Sequence, residues 1–225
     1  MHTSHLARIS LFTLIATAFW LVLLIGDQSV NGSPQNYQEA LTLAQTHGPL
    51  FTLIYLNAIL ITLGVTALFA GFYVNLRPAS PGWATIALMF IPMYAGFNLF
   101  VYGSQVTILP ALADIQAGPA VPAAQFLTAQ FVQSWSGSMI AMINNMAYGV
   151  LGVPSFIYGV IMLRGSRLMW FSGVLLIMNG IAAIIGVLGT ITGSQQLQLG
   201  TLVSGVLFLL ALIPLTIAFY RDDLA

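Results

Sequence analysis

Six stretches of the chain stay apolar long enough to cross a bilayer, whose hydrocarbon core takes roughly 20 residues of helix. They are residues 9–26, 49–76, 82–109, 139–163, 168–191 and 199–220. Between Arg167 and Arg221 no charge appears, yet that stretch is too long for one crossing. Gly193-Ser194-Gln195-Gln196-Leu197-Gln198 divides it, because Gly-Ser and three glutamines are costly in hydrocarbon and natural in a surface turn. The first stretch has the basic start of a signal peptide. It lacks a small-x-small cleavage site, since Leu21-Val22-Leu23-Leu24-Ile25 runs straight into Gly26-Asp27-Gln28, and it is read as a retained span. The expected fold is all-α: one polytopic transmembrane bundle of six helices over residues 1–225.

Two of the connecting segments are long, 27–48 and 110–138. In the first, Ser33-Pro34 is a good helix start, and Tyr37, Leu41 and Ala44 recur at helical spacing among Gln35, Gln38 and Gln45. In the second, Gly118-Pro119 and Pro122 precede Phe126, Leu127 and Phe131, which alternate with Gln125, Gln130 and Gln133. Both read as amphipathic segments on the membrane surface that together cap the bundle, with Trp135 in the interfacial aromatic belt. The other turns, Arg77-Pro78-Ala79-Ser80-Pro81 and Arg164-Gly165-Ser166-Arg167, are too short for a domain and make antiparallel hairpins.

Composition agrees: 59% of the 225 residues are hydrophobic and 4% charged, against about 25% charged in a soluble domain. Charge then orients the spans. Arg8 precedes the first, Arg77 follows the second, Arg164 and Arg167 separate the fourth from the fifth, and Arg221 follows the sixth. With six spans every arginine falls on one side, so that side and both termini are expected to be cytoplasmic, in a bacterial inner membrane. The opposite segments carry Asp27, Glu39, His47 and Asp114 but no basic Arg or Lys. Zero net charge gives no electrostatic case for nucleic acid.

The chemistry on offer is narrow. There is no cysteine, which removes disulfides, thiolate metal sites and thiol catalysis. His2 and His5 share the start of the chain and His47 is remote, too few ligands for a metal site. The predicted spans hold no Asp, Glu, His, Lys or Arg, the usual markers of proton relays and ion pathways. No cofactor motif is present. A hydrolytic site would have to be assembled from His47, Asp27, Glu39 and Asp114, which no motif brings together.

What the spans do hold is amide and phenol: Asn57, Asn98, Asn144, Asn145 and Asn179, with Tyr55, Tyr94, Tyr102, Tyr148 and Gln105. Asn57 and Asn144 each lie twenty residues from the arginine ending their helix, roughly 30 Å at 1.5 Å per residue, and Asn179 lies about 18 Å from Arg167. The amides therefore gather in the outer half, on several helices. They either tie the helices together or line a pocket open to the outside for a neutral or amphipathic ligand. Asn57, Asn98, Asn144, Asn145, Asn179, Tyr94 and Tyr102 are the candidate lining.

Small residues mark close helix packing: Gly64 and Gly71; Gly173, Gly180, Ala183, Gly186 and Gly189; and Gly200 with Ser204. They serve contacts within one bundle or a homo-oligomer. Pro92, Pro154 and Pro214 free the carbonyls of Leu88, Val150 and Leu210. Asn57–Arg77–Trp83 and Asn144–Arg164–Trp170 repeat at an offset of 87 residues, as do a few apolar pairs; arginine followed by tryptophan is also what an inner boundary demands of any hairpin.

Val153-Pro154-Ser155-Phe156-Ile157-Tyr158-Gly159, followed by Met162-Leu163-Arg164-Gly165-Ser166-Arg167-Leu168 and Trp170, resembles a segment of a broad bacterial family of small six-helix membrane proteins of unknown function. Tyr73-Val74-Asn75-Leu76-Arg77 fits it too. That family's Pro-Arg-Trp-like inner turn is only partly matched by Leu168-Met169-Trp170. The resemblance implies a six-helix topology and carries no activity or site residue with it. The functional expectation is a non-enzymatic binder of membrane lipid or of a small neutral ligand, or an accessory subunit of a larger membrane complex. The alternatives are a gradient-independent facilitator of a neutral solute and an enzyme at the outer surface.

Overall fold

The computed structural model describes residues 3–46, 48–115 and 117–222; His2 and His47 lie outside them. The chain folds into α1 (Thr3–Asn31), α2 (Tyr37–Thr46), α3 (Pro49–Leu76), α4 (Pro81–Val106), α5 (Ile108–Ala113), α6 (Val121–Phe131), α7 (Met139–Met162), α8 (Arg167–Thr192) and α9 (Gln195–Arg221). Six of these, α1, α3, α4 with its continuation into α5, α7, α8 and α9, are long and apolar enough to span a bilayer. The all-helical, six-span architecture is as expected.

Several boundaries differ, for local reasons. α1 extends beyond 9–26 at both ends, because nothing breaks it before Gly32 turns left-handed (φ +67°). Arg8 and Asp27 therefore lie on the helix rather than beside it. α2 starts at Tyr37, after Asn36, and not at Ser33-Pro34: Asn36 Oδ1 accepts from the Glu39 amide (3.0 Å), and the Glu39 carboxylate accepts from the Gln35 amide (2.7 Å) and Asn36 Nδ2 (2.6 Å). The arrangement is a variant of the capping box, with the carboxylate reaching the amide one residue before the cap. The break before α9 is confined to left-handed Gly193 and to Ser194, whose hydroxyl caps the helix; Gln195, Gln196 and Gln198 form its first turn.

The six spans form a ring. Each packs on the span before and after it in the chain, and α1 closes the ring against α9. Because their directions alternate, Arg8, Arg77, Arg164, Arg167 and Arg221 all lie at one end, the arginine end, together with the start of α1 and the end of α9. The opposite end, the cap end, carries α2, α5 and α6.

Glycines set the tightest contacts. A Cβ on Gly180 would lie 2.5 Å from the Gly152 carbonyl, and one on Gly173 would lie 2.6 Å from that of Gly159, so α7 and α8 touch backbone to backbone. Gly200 comes as close to the Ala182 carbonyl of α8, and Gly64 and Gly71 seat Thr13 and Leu6 of α1. These small residues act within a single bundle.

The arginine half of the ring is filled. Phe69 and Phe72 of α3, Tyr158 of α7 and Phe208 and Phe219 of α9 are buried and meet across the ring axis with centroids 5.7–6.3 Å apart. The Tyr158 hydroxyl donates to the Ala84 carbonyl of α4 (3.2 Å), and Ser10 of α1 bonds Thr216 of α9 (2.7 Å).

Candidate ligand cavity

Above this aromatic plug the ring is hollow. A cavity of about 550 Å³ occupies the cap half, with walls from all six spans. Its floor is Val65, Leu151 and Phe208, the last stacked on Phe69 of the plug. Polar groups from the helix ends and the cap form its rim: Asp27 and Gln28 of α1, Gln133 and Ser134 before α7, and Gln198 of α9. That volume falls within the range of small-molecule sites, roughly 300–1,000 Å³.

The cap sits over one side of the opening. Ala40 and Ala44 of α2, Leu109 and Ala113 of α5 and Val132 pack on Phe51, Tyr55, Val101 and Tyr102 as a second apolar cluster. Gln105 anchors it: Nε2 donates to the Phe131 carbonyl (2.7 Å) and Oε1 accepts from the Gln133 amide (3.2 Å), while Tyr55 donates to Gln133 Oε1 (3.0 Å). Both surface segments thus join the cap. α6 buries Ala124, Thr128 and Ala129 and leaves Phe126 and Leu127 exposed, since only small residues let it lie close on its neighbours. Trp135 is half-buried and edge-on to Tyr37, within the cap.

The structure brings together most of the sequence-predicted residues. Asn98 and Tyr94 of α4, Asn144 and Asn145 of α7, Asn179 of α8 and Tyr102 all line the cavity, as do Tyr55 and Tyr148. Asn57 does not. Its amide turns away from the cavity and donates to the Ala16 carbonyl (2.9 Å), tying α3 to α1. The Tyr94 hydroxyl lies close to Thr62 and Asn98, the Tyr102 and Tyr148 hydroxyls are 3.1 Å apart, and Asn145 donates to Thr190 (3.0 Å).

Asn179 is the most informative. Its Nδ2 donates to the Ser204 carbonyl (2.8 Å) and hydroxyl (2.9 Å). A carbonyl only accepts, so the amide cannot be reversed, and Oδ1 is left without a partner. Asn98 Oδ1 and Asn144 Oδ1 are likewise buried and unpaired, and so are Trp20 Nε1, Ser134 Oγ and Thr201 Oγ1. Of the seven such atoms among the described residues, these six belong to residues lining the cavity; Ser155 is the seventh. Each costs about 1–3 kcal/mol when nothing pairs with it. The lining residues supply acceptors, hydroxyls and one indole donor. They include no arginine or histidine among the described residues, and one carboxylate, Asp27, which accepts from Asn31 Nδ2 (2.8 Å).

Sequence reading did not single out Trp20, Thr201 or Gly205 as lining. Thr17, Leu21, Leu24 and Gln28 do form a stripe at helical spacing, but an all-apolar helix shows many such stripes. No group of three His, Cys, Asp or Glu side chains among the described residues is placed to hold a metal ion. No protein-family model matches the chain, and no match is found among curated proteins or among solved structures.

Proposed function

We propose that this chain is a non-enzymatic membrane protein that holds a lipid-like or small neutral molecule in the cap-half cavity. The observation that carries this reading is the cluster of unpaired, buried polar atoms around one hollow. A merely structural amide network would pair its own groups, whereas six residues lining this hollow carry a buried polar atom without a partner. The blind floor weighs against the facilitator, because the aromatic plug closes the ring axis below the cavity. An acid–base enzyme finds less support, because the polar lining is mostly amide, phenol and hydroxyl and its one carboxylate among the described residues, Asp27, lies at the rim.

The same reading takes the arginine end as cytoplasmic in a bacterial inner membrane, so that the cavity opens outward, and it keeps the resemblance to small six-helix bacterial proteins and an accessory role in a larger complex. Native mass spectrometry of the chain purified in mild detergent tests it. A stoichiometric small molecule should accompany the wild type and be lost from Asn98→Leu and Asn144→Leu. Unchanged occupancy in both variants removes the pocket.

A further inference from the structure

We infer that the cavity is entered sideways from the bilayer, between the cap-half segments of α1 and α9, by an uncharged, hydroxyl-bearing amphiphile whose acyl chain stays in that gap. The inference rests on the cavity being a binding site and adds its route and ligand class.

Three observations carry it. First, α1 and α9 are sealed only toward the arginine end. Ser10 bonds Thr216 there, and the buried residues of α1 are Leu6, Ala7, Ser10, Thr13 and Ala16, none beyond. Second, the cavity walls continue onto the two helices past that seal. Leu21 and Leu24 of α1, and Leu202 and Leu209 of α9, line the hollow, and Leu202 is 63% exposed. A wall residue that is also exposed at hydrocarbon depth marks an opening, and only molecules dissolved in the bilayer reach it. Third, Gly205 stands in this wall with nothing within 4 Å of where its Cβ would be, whereas a Cβ on Gly186 or Gly200 would strike the neighbouring helix. Glycine lowers helix stability by about 1 kcal/mol relative to alanine. At Gly186 and Gly200 it permits close packing; at Gly205 it preserves empty space.

The head group follows from the lining. The lining holds the amides of Asn98, Asn144 and Asn179 and the phenols of Tyr94, Tyr102 and Tyr148, groups that accept and donate. A hydroxyl does both. With no basic residue lining the hollow among the described residues, an anionic head would be buried without a countercharge, at a cost of several kcal/mol. A glycerol head group bearing one or two acyl chains fits.

The test uses the full chain in phosphatidylcholine nanodiscs and two probes: a diacylglycerol with a diazirine in one long acyl chain, and water-soluble monobutyrin. Photolysis, digestion and mass spectrometry should place the diazirine label on the segments around Leu21, Leu24, Leu202 and Leu209. Gly205→Trp should cut long-chain labelling on the order of tenfold, a change of about 1.4 kcal/mol, and weaken monobutyrin binding by less. Gly96→Trp, on an open face of α4 outside the cavity wall, should alter neither. Label confined to other helix faces overturns the portal even if Gly205→Trp fails to fold, and so does equal loss of both probes in a folded variant. Long-chain labelling that competes better with phosphatidylglycerol than with unlabelled diacylglycerol overturns the head-group assignment. Should the wild type take up neither probe, the binding-site reading itself falls; monobutyrin binding without long-chain labelling leaves that reading standing and ends the lateral route.

Discussion

At the arginine end, Phe69, Phe72, Tyr158, Phe208 and Phe219 of α3, α7 and α9 meet across the ring axis; at the cap end Asn98, Asn144 and Asn179 of α4, α7 and α8 line a void of about 550 Å³. The helices run continuously through both halves, so the difference lies in the side chains alone. In lipid there is little hydrophobic force between helices, and dispersion contacts with close backbone approach must hold them. The filled half supplies those contacts, and with them the tolerance for unpaired polar atoms in the hollow half. Substitutions should therefore behave oppositely in the two halves.

The largest effect is expected in the plug. Tyr158→Ala removes a fully buried ring that touches Phe69 and Phe72 and bonds the Ala84 carbonyl. A loss of about 3–5 kcal/mol is expected, seen as a lower midpoint in detergent unfolding. Tyr102→Phe, in the cavity wall, should change that midpoint little. A Tyr158→Ala midpoint equal to wild type would mean that the two halves do not differ in what they hold up.

Gly180→Val should come next. Its Cβ would press on the Gly152 carbonyl of the facing helix, and backbone cannot move aside as a side chain can. Overpacking of this kind costs about 1–3 kcal/mol. The matched substitution Gly205→Val, which meets nothing, should be neutral or slightly stabilising in the same assay. Equal losses at the two glycines would contradict the open space assigned to Gly205.

Asn57 and Asn179 separate the roles an amide can play. Asn57→Leu deletes the bond to the Ala16 carbonyl and should cost about 1 kcal/mol while leaving ligand occupancy as it was. Asn179→Leu also loses a helix-to-helix bond, to Ser204, but should lower occupancy as well. Loss of ligand from Asn57→Leu would return Asn57 to the site.

How much of this could be read beforehand follows from which interactions are local. The spans and the segregation of arginine depend on length, hydropathy and order along the chain, and they came through. The start of α2 was misplaced because Ser33-Pro34 is a good start in isolation, whereas the reciprocal bonds of Asn36 and Glu39 are better. The candidate site was legible as a set of amides gathered in one half of the spans. Its membership was not, because whether Asn57 or Asn98 faces the hollow depends on the angle at which each projects from its helix, and packing sets that angle. Gly205 was unreadable: the same residue marks contact at Gly200 and emptiness five positions later.

The smallest expected change is the most discriminating. Asn98 is 1% exposed and its Oδ1 has no partner, so the empty protein carries a cost there that Asn98→Leu removes. Without ligand the variant should be more stable by about 1 kcal/mol, a rise of roughly 2–4 °C in Tm for a chain of this size. With ligand the order should reverse, because binding stabilises only the protein that binds, by RT ln(1 + [L]/Kd). Two melting curves per protein, with and without monobutyrin, decide the matter. If Asn98→Leu melts lower in both, its amide is holding helices together as Asn57 does, and the contrast between a filled half and a receptive half loses its chemical basis. If the curves cross, the unpaired oxygen is kept at the expense of stability for what it binds.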